Sequence, residues 1–120
     1  MPAANRRKFF DGSDVFLTYP QSPLLTRERI RDFFLALGGV KRFLIARELH
    51  DDGNQHFHAY IRWEGRRRFE SSDCFDVDGR HPNIQRPRSA KDVVAYCSKD
   101  DDNLLANFKP EELADESQSG

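Results

Sequence analysis

The chain has 120 residues, 38% hydrophobic and 32% charged, with a formal net charge of −1, which suits one domain with a modest core and is too short for two. No apolar run approaches the roughly 18 residues of a membrane span, and the opening MPAANRRKFF lacks the apolar stretch of about 7–15 residues that a secretory signal needs. Cys74 and Cys97 have neither zinc-cluster nor disulfide spacing, so a reducing compartment is expected, with Cys97 a small apolar packing residue. Charge is unevenly spread. Seven acids and one base lie from Asp100 onward, leaving 18 bases against 13 acids in residues 1–99, a basic body with an acidic tail. Bases cluster at Arg6–Lys8, at Arg66–Arg68 and around Arg80–Lys91, where they could meet phosphates or simply be solvated.

In chain order, DVFLTYPQ (14–21) alternates Val15, Leu17 and Tyr19 against Phe16 and Thr18 and stops at Pro20, a strand entering a turn. A helix follows, with Thr26 at its N-cap, Phe33, Phe34 and Leu37 on its apolar face, and Gly38-Gly39 at its end. VKRFLIARELH (40–50) and QHFHAYIRW (55–63) read as strands joined by the turn signal DDG. Residues 65–79 are charged and poor in apolar residues, so a loop with at most one short edge strand is expected there. HPNIQ (81–85) reads as a short strand. SAKDVVAYCSKD reads as a helix capped by Ser89, with Asp92 three residues on. PEELADESQSG begins one helical turn at Pro110 and ends as an acidic, Ser-rich tail.

The hairpin turn decides which side chains meet. A three-residue loop, Asp51-Asp52-Gly53 with Gly53 left-handed, pairs His50 with Asn54 and sets Glu48 opposite His56. His58 then lies two along on the same face, while Phe43, Ile45, Leu49, Phe57, Ile61 and Trp63 fall on the other to pack a core. A two-residue turn would put Glu48 opposite Phe57 and strand a carboxylate among apolar residues. Two imidazoles and a carboxylate make a three-ligand set with open positions, suited to Mn²⁺ or Mg²⁺ and leaving zinc open. A polar sheet face without metal is the alternative.

On the second helix Asp92, Tyr96, Lys99 and Asp100 share one polar stripe, opposite Ala90, Val93, Val94 and Cys97. A tyrosine at such an edge usually packs amphipathically. Beside a metal it has another use, because a phenol attacks phosphorus when the phosphate is polarised and a nearby cation, here Lys99, favours the phenolate.

The ordered set FLTYPQ (16–21), RELHDDG followed by HFH (56–58), HPNIQ and YCSK (96–99) resembles the N-terminal endonuclease domain of the replication initiators (Rep) of geminiviruses and genomoviruses, members of the HUH endonuclease class. The resemblance covers roughly residues 14–108, and RRRFESSDCFDVDGRHPNIQ is similar to the segment those Reps carry between their second and third motifs. It implies an α+β fold of the RRM/ferredoxin-like kind, a five-stranded antiparallel sheet with flanking helices. It implies Glu48, His56 and His58 as ligands of Mn²⁺ or Mg²⁺, Tyr96 as the nucleophile and Lys99 as its assistant. DNA contacts are expected from Phe16, Thr18, Tyr19 and Gln21 of the first motif, from Arg66, Arg67 and Arg68, and from Asn83 and Gln85. The implied activity is nicking of single-stranded origin DNA in a hairpin loop through a 5′-phosphotyrosine adduct, then rejoining of ends, which starts rolling-circle replication.

The implied partners are that single strand and duplex repeats near the origin, with no membrane, and the implied setting is the host nucleus, since NRRK is too short a basic run to decide it. No Gly-x-x-x-x-Gly-Lys-Ser/Thr pattern occurs, so residues 1–108 are expected to be the nicking domain and 109–120 a linker, with the helicase domain absent. The full-length parent is expected to oligomerise through regions incomplete here. Two other readings remain: a non-catalytic origin- or promoter-binding repressor, and a plasmid or transposon relative with the same chemistry.

Overall fold

The computed structural model describes residues 9–51, 53–99 and 104–113. Arg6–Lys8, Asp52, Asp100–Asp102 and residues 114–120 of the acidic tail, all named above, lie outside the described residues. The elements run β1 (Phe10–Tyr19), α1 (Arg27–Leu37), β2 (Val40–Leu49), β3 (Gln55–Phe69), β4 (Asn83–Gln85), α2 (Ala90–Ser98) and β5 (Leu105–Ala106). The strands form one antiparallel sheet in the order β4-β1-β3-β2-β5, the α+β architecture expected.

Alternation along three central strands divides the side chains between two faces. Val15, Leu17 and Tyr19 of β1 stand opposite Ile61, Ala59 and Phe57 of β3, which face Phe43, Ile45 and Arg47 of β2. All but Arg47 join Ile30 and Phe34 of α1 in the larger core. The other parity carries Leu44, Ala46 and Tyr60, on which α2 lays Val94 and Cys97. Both helices begin as their sequences require. Thr26 Oγ1 accepts from Arg29 N at 3.1 Å and Ser89 Oγ from Asp92 N at 3.2 Å, each satisfying a free amide of a first turn. Gly38, at φ 84°, ends α1.

Several expectations need correction. β1 begins at Phe10 and β3 runs to Phe69, so Arg66–Arg68 lie in a strand: Gly12, Asp11 and Phe10 pair with Arg67, Arg68 and Phe69 beyond a bulge. No strand forms in residues 70–79; an isolated Val77–Arg80 bridge closes a turn. That segment still supplies core, since Phe75 and Val77 are fully buried and Phe75 packs on Phe10, Phe34, Trp63 and Phe69. Burying one such phenylalanine is worth roughly 1.5–3 kcal/mol. Leu49 is 65% exposed, because its partner on the last rung of β2 is Gln55, whose amide donates to the carbonyls of Ser22, Pro23 and Leu25.

β5 has only two residues, and Asn107 extends its hold on β2. Its N donates to Phe43 O, its Oδ1 accepts from Phe43 N, and its Nδ2 donates to Lys41 O. Residues 110–113 form the expected helical turn, and Leu113, 6% exposed, packs into the second core. The packed body therefore reaches five residues past the expected limit at 108.

Candidate active site

The β2–β3 turn has the three-residue form. His50 N donates to Asn54 O at 2.8 Å, Gly53 N to His50 O at 2.9 Å, and Gly53 takes φ 87°, a conformation that a side chain would strain. Glu48 consequently stands opposite His56 and Ala46 opposite His58. On its other side His58 faces Thr18, which faces Asn83. The next rung runs Gln85, Phe16, Tyr60, Leu44 and Ala106 across all five strands. Glu48, His56, His58, Thr18, Phe16, Asn83 and Gln85 thus share the face that α2 crosses.

His58 is held on every side. Its Nε2 lies 2.9 Å from Glu48 Oε1 and its Nδ1 3.2 Å from Thr18 Oγ1. Phe16 stacks on the ring at 5.9 Å, and Tyr96 meets it edge-on at 5.4 Å. The hydrogen bond to His58, more than the partial burial that opposes it, holds the Glu48 carboxyl below the usual carboxylate range. His50 was not among the candidates. Its Nε2 lies 3.6 Å from Glu48 Oε1 and its ring stacks on His56 at 3.8 Å; its parity with Glu48, one position past the end of β2, was the available signal.

The chain's three tyrosines differ sharply. Tyr19 and Tyr60 are fully buried, with their hydroxyls given to Phe75 O at 2.6 Å and Asp14 Oδ2 at 2.9 Å. Burial holds both phenols well above the usual range, with the nearby carboxylates of Asp76 and Asp14 respectively adding to it. Tyr96 is 48% exposed. Val94 and Cys97, two residues before it and one after, anchor α2 on Leu44, Ala46 and Tyr60, which turns Tyr96 to the rim. Lys99 Nζ lies 5.1 Å from its ring centroid. Glu48, His58, Tyr96 and Lys99 line one small cavity. A neighbouring open groove of about 430 Å³ adds Phe16, Thr18 and Gln85 to His58 and Tyr96.

A divalent cation is implied by the resemblance, and the kinds of donor present suit one. Glu48 and His58 already converge at 2.9 Å, and one carboxylate with neutral imidazoles is a donor set for Mn²⁺ or Mg²⁺. Among the described residues no three His, Cys, Asp or Glu side chains surround a common point, with His56 engaged in its stack on His50.

Other expected DNA-facing residues lie elsewhere. Tyr19 points into the larger core, so its role is packing. Gln21 occupies the exposed turn after β1 at φ 44°, beside Ser22, whose amide donates to Gln55 O. Arg66–Arg68 begin ten residues along β3 from His56, on the order of 30 Å away. Arg66 pairs with Asp11 and Arg68 lies 4.0 Å from Glu70. Arg67 is half-buried, donates to Gly38 O and Leu37 O at the end of α1, and lies over Trp63 and Phe69, so its role is structural.

Residues 9–110 match the family model of the geminivirus Rep catalytic domain. The chain is 36% identical over 109 residues to the replication-associated protein A of Bean yellow dwarf virus, covering 85% of this chain and 36% of that protein. It is 39% identical over 89 residues to the replication-associated protein of Tobacco yellow dwarf virus (strain Australia), 72% of this chain and 26% of the relative. With the replication-associated protein of Maize streak virus genotype D (isolate Raw) it shares 37% over 101 residues, 82% of this chain and 28% of the relative. The chain spans about a third of the length of these curated relatives.

Proposed function

This chain belongs to the geminivirus Rep catalytic domain family, and from that premise we propose that it starts replication by nicking single-stranded origin DNA with Tyr96 and later rejoins the ends. One observation carries the choice of nucleophile: of three tyrosines, only Tyr96 is exposed, at 48%, and it borders the cavity shared with Glu48, His58 and Lys99.

In the proposed reaction Tyr96 Oη attacks the scissile phosphorus in line and forms a phosphodiester to the 5′ side. The bond to the 3′ oxygen breaks, the phenol proton passes to solvent, and the leaving oxygen takes one up as a 3′-hydroxyl. Because phosphotyrosine remains a diester, a 3′-hydroxyl returning to the same phosphorus reverses the step without an outside energy source. Lys99 offsets the charge that gathers on Tyr96 Oη and the phosphate. Glu48, His56 and His58 would hold the cation, which when bound polarises the phosphate. Phe16 offers a ring beside the groove for a base to stack on, and Asn83 and Gln85, directly opposite Thr18 and Phe16, offer amides to base edges. The bases at Arg66 and Arg68 suit phosphates of a duplex farther along the sheet.

The test is a denaturing gel of the protein with a labelled single strand carrying the geminivirus-type loop TAATATTAC, with Mn²⁺ or EDTA. A metal-dependent protein–DNA band, absent in Tyr96→Phe, is expected. An adduct formed equally by Tyr96→Phe sinks the assignment. Salt-sensitive duplex binding with no adduct on any sequence of a randomised library would leave the repressor reading in its place.

A further inference from the structure

We propose, resting on the reading that His58 ligates a divalent cation, that Thr18 is a positioning residue for that ligand: its hydroxyl fixes which nitrogen of His58 is offered, by serving as donor in one state and acceptor in the other. The two histidines are not equivalent. Thr18 is directly opposite His58, and the β1 ladder ends one rung later at Tyr19 and Phe57, short of His56. His58, 7% exposed, has a polar atom at each ring nitrogen, and the ring of His56 stacks on His50.

A neutral imidazole carries one N–H and one lone pair. The Glu48 carboxylate only accepts, so with it at 2.9 Å Nε2 carries the proton, Nδ1 accepts, and Thr18 Oγ1, at 3.2 Å, donates. A cation at Nε2 needs the lone pair there. The ring proton would then sit on Nδ1 in place of Nε2. Thr18 meets the change by rotating its hydroxyl to accept. Valine would fill the same volume and could do neither, leaving a buried ring nitrogen unpaired. The role also uses the Thr18 hydroxyl within the protein, where the motif alone suggested a DNA contact.

The experiment compares wild type, Thr18→Val, Thr18→Ser and His58→Ala. It reads Mn²⁺ affinity from the EPR signal of free ion and the His58 tautomer from long-range ¹H–¹⁵N spectra with and without Zn²⁺. Wild type should pass from Nε2–H to Nδ1–H on Zn²⁺ addition. Thr18→Val should lose about tenfold or more in Mn²⁺ affinity, and Thr18→Ser should stay within about threefold of wild type. Equal losses in Thr18→Val and Thr18→Ser would overturn the role, as would wild-type Mn²⁺ affinity in Thr18→Val while His58→Ala loses binding. Wild-type affinity in His58→Ala would remove the ligand reading itself, and this role with it.

Discussion

Replacing Tyr19 by phenylalanine separates packing from DNA recognition within a motif where both were expected. The Tyr19 ring is fully buried and its hydroxyl donates to Phe75 O at 2.6 Å. Deleting the oxygen removes one buried hydrogen bond and leaves the Phe75 carbonyl unpaired in a core of aromatic rings. That loss is worth about 1–3 kcal/mol. For a domain of this size each kcal/mol shifts the melting point by roughly 5 °C, so Tyr19→Phe should melt roughly 5–15 °C lower. Differential scanning calorimetry reads the shift, and fluorescence anisotropy with a labelled single strand at 15 °C, well below the transition, should give unchanged affinity. A variant that melts with wild type and binds DNA tenfold more weakly would refute the packing argument.

Other expectations follow from the same structure. Gly53→Val forces a β-branched residue into φ 87° and should cost at least 1 kcal/mol or so in urea unfolding, with Mn²⁺ affinity falling if the turn holds Glu48 opposite His56. Arg67→Ala should lower stability by about 1 kcal/mol, through the lost bonds to Gly38 O and Leu37 O, without changing the salt dependence of duplex binding; Arg68→Ala should do the reverse. Burial pushes the Cys97 thiol up to about 12 and the Cys74 thiol up to about 11. A raised pKa means less thiolate below it, so at pH 8 Cys97 is almost entirely the unreactive thiol. Iodoacetamide should then label native protein far more slowly than protein unfolded in urea, a difference that mass spectrometry reads directly.

What the sequence made legible was the part governed by alternation and turn chemistry. With Asp51-Asp52-Gly53 as a three-residue loop, parity alone brings Glu48 opposite His56 and puts His58 on the same face. The Ser89 cap and the apolar spacing of Val94 and Cys97 likewise set the helix that carries Tyr96. Less legible were residues whose role depends on distant partners. Phe75 and Val77 sit in a charged segment with no periodicity, yet they fill the space between α1 and the sheet. Arg67 reads as one of three basic residues, and only its position behind α1 makes it a cap. β5 was too short to leave a pattern and depends on Asn107. That register pairs His50 with Asn54, and only its parity with Glu48 hinted that its ring would stack on His56.

The central claim is that Tyr96 forms the bond to DNA, and peptide mapping of the adduct tests it most directly. The adduct is digested with nuclease and trypsin, and the nucleotide mass is located by tandem mass spectrometry. The account places it on Tyr96 within the peptide Asp92–Lys99. A nucleotide on Tyr19, Tyr60 or a residue other than tyrosine would contradict it.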